Sequence, residues 1–440
     1  PTHTFGNQLH TRSGTGVSLC ATTRGLTMTV RRLARFDALA LTALVWFLGK
    51  FLRYAFPPLF GTLEGTYGVS RTALGTAFTG FMVVYAAMQF PSGALADRIG
   101  GVRVIAAGGV VTAVGALVLV VDSPFVVLAG AMVLMGAGTG TTKTVAVDLL
   151  SRVYPARTGR ALGVFDTIGA MAGAAAPAAV VLASGAPALF GAPWRTLFLA
   201  GGVGTLAITV AFAVRVPRRL QNRQKPTADG VESGEEDDDS DAATEGATSQ
   251  YLGLFRRPRF VAFVAVTVLF SFAYNGAVAF LPLYLAEETV LSAVTANLLF
   301  SALFLVSLVQ LATGDASDRV GPLPVLALTL VVATGGLVAV LALSATGGPI
   351  VLGGAVVALG LGAHGYRPVR GAYLMAVVPE SVAGGGLGVV RTLLMTAGAA
   401  SPAIVGYLSE TAGFGPAFAM LAVAMGGAAA LTVVLWALDR

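Results

Sequence analysis

The sequence predicts an all-α membrane protein of twelve transmembrane helices, arranged as two similar six-helix bundles with both termini on the cytoplasmic side. Three observations predict this fold. The 440 residues are 55% hydrophobic and 11% charged, long apolar stretches recur along the chain, and two octapeptides of one pattern lie about 220 residues apart. A soluble domain carries roughly 25% charged residues. Lipid is therefore the expected solvent for most of this chain.

Twelve apolar stretches are each long enough to cross a bilayer as a helix. At about 1.5 Å per residue, about 20 residues cover the roughly 30 Å of hydrocarbon. Strands of a transmembrane barrel would be about half as long and would alternate in polarity, which these stretches do not. The predicted spans are 37–60, 72–92, 102–121, 125–150, 160–183, 195–215, 259–285, 291–313, 322–344, 349–375, 385–408 and 414–437.

The positions of lysine and arginine predict which side of the membrane each loop faces. With the N-terminus placed inside, twenty of the 28 basic residues fall on the cytoplasmic side, and two, Arg71 and Arg195, fall on the other. Cytoplasmic loops carry such an excess of positive charge. The remaining six are predicted to lie within the membrane: Lys50, Arg53, Lys143, Arg367, Arg370 and Arg391.

The chain is predicted to contain two bundles, a linker and a tail. Residues 1–27 are polar and lack the apolar segment of a signal peptide. The acidic run 235–241 cannot pack into a core, so a disordered linker is expected there. The predicted regions are a tail at 1–35, disordered or an artefact of the start site, a bundle at 36–216, a cytoplasmic acidic linker at 217–256 and a second bundle at 257–440.

Two pairs of matching motifs indicate an internal duplication. The octapeptides Gly93-Ala-Leu-Ala-Asp-Arg-Ile-Gly100 and Gly314-Asp-Ala-Ser-Asp-Arg-Val-Gly321 each lie between apolar stretches. Residues 162–177 also align with 387–402 at a constant offset of 225, sharing Leu-Gly-Val, Thr, Ala-Gly-Ala-Ala and Pro. Two copies of one six-helix unit, related by an axis along the membrane normal, are typical of transporters.

With these motifs the chain resembles the major facilitator superfamily over about residues 36–437. The superfamily's most specific signature is matched by Gly93-x-x-x-Asp-Arg-x-Gly-Gly-Val-Arg103. The resemblance implies a cytoplasmic latch, in which glycines allow close packing and a charge network holds the halves in the outward-open state. The implied latch residues are Gly93, Asp97, Arg98, Gly100 and Arg103, with Asp318 and Arg319 acting more weakly in the second half.

The first helix is similar to that of the superfamily's anion:cation symporters, in which an Asp-Arg pair precedes an apolar run. Arg53 matches the arginine, but Leu52 stands where the aspartate is expected, so the proton-coupling role of that aspartate is absent. In helix five, the sequence starting at Ala176-Pro177 departs from the Gly-Pro and paired glycines of the antiporter motif. A buried arginine of the helix-four motif is not evident either. Both departures disfavour a drug/proton antiporter.

Basic residues exceed acidic residues within the predicted helices, which favours an anionic substrate, because a cation in a low-dielectric interior needs a partner. Lys143 and Asp166 lie at a similar depth and are expected to pair. Structural pairing or snorkelling is the alternative role for the basic residues, and Asp166 and His364 are the candidates for ion coupling. For His364 the alternative is a hydrogen-bonded packing role. The candidate substrate-binding residues are Arg53, Lys50, Tyr85, Gln89, Lys143, Tyr274, Asn275 and Arg391.

The predicted function is secondary active transport of a small organic or inorganic anion across the cytoplasmic membrane by alternating access, coupled to H⁺ or Na⁺. The expected partners are this solute, the coupling ion and the lipid bilayer; we expect a monomer with no nucleic acid, cofactor or metal. The single cysteine, Cys20, excludes a disulfide framework within the chain. One alternative is efflux of drugs or organic cations, which requires a membrane-embedded acid in helix one or four. A membrane sensor or enzyme is the other, but no catalytic constellation supports it.

Overall fold

The computed structural model describes residues 36–188, 190–223, 256–377 and 383–439. The predicted tail at 1–35 and most of the predicted acidic linker lie outside the described residues. Regular structure within the described ranges is helical and is joined by short turns.

Among the residues described in the N-terminal half there are eight α-helices. They are α1 Asp37–Tyr67, α2 Arg71–Ala87, α3 Gln89–Ile99, α4 Gly101–Val118, α5 Phe125–Gly140, α6 Thr142–Val153, α7 Thr158–Ser184 and α8 Pro193–Arg223. Seven helices of the described residues follow in the C-terminal half. They are α9 Pro258–Glu287, α10 Ala293–Leu305, α11 Val309–Val320, α12 Pro322–Ala342, α13 Pro349–Val377, α14 Ala383–Thr411 and α15 Phe414–Ala437.

Among the described residues, eleven helical stretches are long and apolar enough to cross a membrane. The pairs α5–α6 and α10–α11 each count as one of these stretches. Helices α2 and α3 form a further candidate span that is bent by 40°. Counting this bent pair as one span gives a total of twelve.

The bend between α2 and α3 has a local cause. Pro91 lacks an amide hydrogen, and its ring crowds the carbonyl of the residue four positions earlier, which is Ala87, where α2 ends. The second half carries no proline at the matching break, which is a short 3₁₀ turn at Val306–Leu308.

Both octapeptides are mostly helical, which corrects the expected end of the second span near residue 92. Helix α3 continues to Ile99 and α11 to Val320. The chain then turns at Gly100 and Gly321, whose φ angles are 92° and 88°. Only glycine adopts such angles readily, so the final glycine of each motif makes the sharp turn into the next helix.

Equivalent helix pairs in the two halves pack through glycine. A Cβ on Gly138 of α5 would lie 2.6 Å from the amide nitrogen of Thr112 on α4. A Cβ on Gly336 of α12 would lie 2.7 Å from the carbonyl oxygen of Ala355 on α13. Helices pack most closely in membranes where small residues let their backbones approach. Each half is therefore a tightly packed unit.

The two halves meet along three helix pairs: α1 with α9, α2 with α14 and α7 with α10. The Phe60 and Phe280 rings are 5.2 Å apart between α1 and α9. Gly75 of α2 lies against the carbonyl of Pro402 on α14, and Gly173 of α7 lies against the Phe304 ring on α10. These contacts join the two halves through both aromatic rings and backbone packing.

Candidate substrate-binding site

Two cations of α1 rest on aromatic rings near the middle of the helix. Lys50 Nζ lies 5.5 Å from the ring centroid of Trp46 and 5.7 Å from that of Tyr54. The guanidinium carbon of Arg53 lies 5.5 Å from the ring centroids of both Tyr54 and Tyr85. Aromatic faces attract cations, but they do not neutralise them. The two side chains are one turn apart and share the Tyr54 ring.

A third cation approaches the same region from the C-terminal half. The guanidinium carbon of Arg367 on α13 lies 4.5 Å from the ring centroid of Tyr274 on α9. The His364 ring, one turn earlier, lies 6.1 Å from Tyr274 and 5.7 Å from Phe304. Phe304 in turn lies 4.7 Å from Tyr54, and Arg367 is within electrostatic range of Tyr54. Cations of both halves therefore face one shared region, which we call the central cluster: Lys50, Arg53 and Arg367.

The central cluster has no carboxylate partner among the described residues, where every ion pair lies elsewhere. Arg53 Nε is buried without a hydrogen bond. In the part of the chain that is described, the Tyr274 hydroxyl and both His364 ring nitrogens are also buried without a hydrogen bond of ordinary geometry. Buried polar atoms are normally satisfied, and unpaired charges are costly. An anionic ligand at this position would satisfy several of these groups together.

The predicted pair of Lys143 and Asp166 is present and links α6 to α7. Lys143 Nζ also lies 5.0 Å from the Phe165 ring and 5.6 Å from the Trp46 ring. The Asp166 side chain is 59% exposed, whereas that of Lys143 is 25% exposed. The charge of Lys143 is therefore compensated, whereas Lys50, which contacts the same Trp46 ring, has no carboxylate partner among the described residues.

Gln89 and Arg391 join the two halves. A guanidinium nitrogen of Arg391 on α14 donates to the side-chain oxygen of Gln89 on α3. The amide nitrogen of Gln89 donates to the sulfur of Met395 at 3.5 Å. Because Gln89 is neutral, it does not compensate the charge of Arg391, which adds to the cationic character of the interface.

Asn275 makes its contacts within the C-terminal half. Its Nδ2 donates to the backbone oxygen of Ser271 at 2.8 Å. The same atom would lie 2.6 Å from a Cβ on Gly398, so the amide fills the contact between α9 and α14. The Asn275 amide nitrogen is therefore engaged in helix packing, and the role of this residue in substrate binding stays a prediction.

The sequence analysis places Arg367 within the membrane but does not include it among the candidate substrate-binding residues. A signal was available, because the offset that aligns the two halves places Lys143 opposite Pro368, beside Arg367. The aromatic groups Trp46 and Tyr54 were also missed. They resemble ordinary core residues in the sequence, and only the positions of the neighbouring cations distinguish them.

The end of the bundle that carries the octapeptides, the motif end, shows no engaged latch. Its four motif charges, Asp97, Arg98, Asp318 and Arg319, are exposed, and in the described ranges none forms an ion pair with the other half. The remaining latch cation, Arg103, donates to the Ile99 carbonyl at 3.3 Å within its own half. A Cβ on Gly93 or on Gly314 would meet no atom within 4 Å. The implied close packing is therefore not present in this conformation.

The opposite end, where α1 and α9 finish, is closed by contacts between the halves. Arg71 pairs with Glu287 of the other half, lies 3.8 Å from Glu64, and places its guanidinium carbon 4.6 Å from the Phe414 ring. Beside it, the Thr72 hydroxyl donates to Glu410, which also accepts from the Thr72 amide at 3.2 Å. We call this the closed end.

Comparison with known proteins identifies the family of this chain. The family model of the Major Facilitator Superfamily matches residues 40–366. The probable sulfoacetate transporter SauU of Cupriavidus necator is 27% identical over 226 residues, which cover 50% of this chain and 50% of that protein. The matched part therefore spans about half the length of this curated relative.

Solved structures share the fold across nearly the whole chain. A bacterial homologue of the human lysosomal transporter Spinster, inward-facing and occupied, aligns with a TM-score of 0.71 at 14% identity, covering 90% of this chain and 96% of its own. The peptide transporter POT in complex with sulfate aligns with a TM-score of 0.70 at 17% identity, covering 92% and 94%. This protein is a multi-pass transporter of the cytoplasmic membrane rather than an enzyme, and it belongs to the major facilitator superfamily.

Proposed function

We propose that the protein is a secondary active transporter of a small organic or inorganic anion. The central cluster of Lys50, Arg53 and Arg367 is the observation that carries this proposal. Charged side chains within membrane proteins normally face a partner or a watery pathway. Three cations without a carboxylate partner in the described residues favour an anionic cargo. The similarity to a probable sulfoacetate transporter supports the same substrate class.

We further propose twelve spans with both termini in the cytoplasm. The excess of basic residues on the side of the motif end supports this orientation. The closed end then faces outward, and the exposed motif end faces the cytoplasm. In this assignment the conformation is inward-facing, and alternating access requires the closed end to separate as the motif end closes.

Coupling to H⁺ or Na⁺ is assigned to Asp166 and His364 in this proposal. Asp166 is an exposed carboxylate paired with Lys143, beside the ring of Trp46 that also contacts Lys50. His364 is 1% exposed and lies against Tyr274 beside Arg367. An imposed pH gradient or sodium gradient across proteoliposomes distinguishes the two ions by the one that drives uptake.

Efflux of an organic cation is the alternative within the superfamily. The central cluster disfavours it, because a cationic substrate would be repelled by three like charges. A cationic drug should therefore be neither bound nor moved by the purified protein.

The test is uptake into proteoliposomes of labelled sulfoacetate, sulfate, phosphate, nitrate, carboxylates, a neutral sugar and a cationic drug. We expect at least one anion to accumulate, and neither the sugar nor the drug to do so. Arg53→Gln should lower that uptake by roughly tenfold or more, because charged hydrogen bonds contribute about 1.5–3 kcal/mol. Arg152→Gln is the matched control, since Arg152 is exposed and pairs with Asp148 four residues away. Unchanged uptake in Arg53→Gln, or transport of the drug alone, would overturn the proposal.

A further inference from the structure

We propose that the substrate is a compact dianion held between the two halves, with one anionic group on Lys50 and Arg53 and the other on Arg367. This inference rests on the proposed anion transport and adds the number and placement of the substrate's charges. Arg367 becomes a binding residue, and specificity depends on having two anionic groups rather than one.

The charges of the central cluster support a dianion. The nearby carboxylate, Asp166, is engaged by Lys143, so it does not neutralise the cluster. A monoanion would leave two of the three cations uncompensated within the described surroundings. A dianion leaves one cation uncompensated. When that cation is Lys50, its charge lies against the aromatic rings of Trp46 and Tyr54. The cost of an unpaired cation in a low-dielectric site makes the second negative charge favourable.

The cations also form two separate groups. Lys50 and Arg53 lie on α1 of the N-terminal half and share the Tyr54 ring. Arg367 lies on α13 of the C-terminal half, over Tyr274 of α9. Two cationic groups on different halves of the protein match a molecule with an anionic group at each end better than they match a molecule with a single anionic centre.

Unsatisfied hydrogen-bonding groups surround Arg367. The Tyr274 hydroxyl is within reach of its guanidinium, although it makes no hydrogen bond of ordinary geometry. His364, one helical turn from Arg367, has two buried nitrogens without a hydrogen bond of ordinary geometry in the described surroundings, although the backbone of Leu303 lies within reach of the ring. A hydroxyl and an imidazole N–H can both donate to an anionic oxygen. Together with Arg367 they form a binding position for one sulfonate, carboxylate or phosphonate group.

The substrate should be short. Tyr54 is in contact with Lys50 and Arg53. Its ring centroid lies 4.7 Å from that of Phe304, which lies 5.7 Å from the ring of His364, one turn from Arg367. This short chain of contacts between the two cationic groups favours a compact dianion, such as sulfoacetate or malonate.

Bridging also explains how recognition acts on conformation. A ligand shifts a conformational equilibrium only when it binds one state more tightly than the other. A dianion that contacts both halves favours conformations in which the distance from Arg367 to Lys50 and Arg53 matches the distance between its two anionic groups. A monoanion held by Lys50 and Arg53 touches one half and has no comparable effect.

The experiment measures equilibrium binding to the purified full-length protein by isothermal titration calorimetry. Sulfoacetate and malonate are the dianions, and methanesulfonate and acetate are the monoanions that match each of their anionic groups. We expect the dianions to bind wild-type protein roughly tenfold more tightly or better, as the loss of one charged hydrogen-bonded contact predicts. Arg367→Gln should remove this advantage and change monoanion affinity less than about threefold. Arg53→Gln should weaken both classes.

Controls separate a binding effect from misfolding. Arg259→Gln changes an exposed arginine that pairs with Asp439 and should leave all affinities unchanged. Arg367→Lys retains the charge and should restore part of the preference for dianions, with an unfolding temperature like that of wild type.

Three results would count against these ideas in different ways. Equal affinity of wild type for dianions and monoanions overturns the dianion inference and leaves anion transport standing. Equal weakening of both classes by Arg367→Gln overturns the two-group placement. Failure of all four anions, with uptake of a cationic or neutral solute, overturns the proposed function itself.

Discussion

The two ends of the helix bundle differ in what joins the halves. At the closed end, Arg71 pairs with Glu287 and Thr72 contacts Glu410 across the interface. At the motif end, the charges of both octapeptides are exposed, and in the described residues they have no ion pair across the interface. The most recognisable motif therefore does not hold this conformation. The contacts that do hold it involve residues that no motif had marked.

Backbone contact, more than charge, distinguishes the closed end. Gly75 of α2 lies against the Pro402 carbonyl, and Gly406 of α14 lies against the Arg71 carbonyl. The Arg71–Glu287 pair is partly exposed, with 23% and 34% of the side chains accessible, so its contribution is modest. We therefore expect packing changes to shift the equilibrium between conformations more than charge changes do.

The largest expected effect comes from comparing Gly75→Ala with Gly93→Ala. A methyl group at Gly75 meets the Pro402 carbonyl, whereas one at Gly93 meets nothing within 4 Å. Overpacking costs about 1–3 kcal/mol, and the gain of up to about 1 kcal/mol from alanine in a helix is common to both variants. Spin labels on Thr66→Cys and Glu288→Cys, in a Cys20→Ser background, should show the closed end separating in Gly75→Ala alone. Equal distance distributions in both variants would mean that this contact does not control closure.

A smaller effect is expected from Arg71→Gln, which removes the pair with Glu287 and the contact with the Phe414 ring. The cost should be about 1 kcal/mol, or roughly a fivefold change in the ratio of closed to open populations. The same two labels measure it. Salt screens exposed charges, so raising it to about 1 M should reproduce the change in wild type. It should add little to Gly75→Ala, in which we expect the closed end to be separated already. Insensitivity of wild type to salt would argue against an electrostatic contribution.

The smallest effect on the present conformation is expected from Asp97→Asn at the motif end. Because Asp97 is exposed here, the unfolding temperature should stay near that of wild type, within about 0.5 kcal/mol of stability. Transport should nevertheless slow by roughly fivefold if the latch is worth about 1 kcal/mol in the other conformation. Asp318→Asn should slow it less, and Asp148→Asn, outside the motif, is the control. A lower unfolding temperature in Asp97→Asn with normal transport would contradict the latch assignment.

The helices were largely predictable because the membrane limits both their length and their polarity. The predicted span 414–437 coincides with α15, whereas the second span was predicted too short. The C-terminal part of that span is helical but polar, and hydropathy does not predict helical structure outside the apolar part of a span. Its bend was foreseeable from Pro91, which disrupts the hydrogen bond to Ala87.

The candidate site was less predictable because a side chain's partners depend on how its helix is rotated and tilted. The similar depth of Lys143 and Asp166 in their predicted helices was enough to predict their ion pair, which the structure contains. Depth alone did not indicate that the Arg367 guanidinium lies over the Tyr274 ring of α9. For Asn275, the sequence did not indicate the hydrogen bond that its side chain donates to Ser271 within its own helix.

The contact of Trp46 with two ammonium groups has a spectroscopic consequence. Lys50 and Lys143 lie 5.5 Å and 5.6 Å from its ring, and the chain has three tryptophans in all. Indole emission responds to nearby charge, so an anion arriving at Lys50 alters the field at this ring. With Trp194→Phe and Trp436→Phe, the remaining intrinsic fluorescence becomes an optical signal of site occupancy that needs no attached dye.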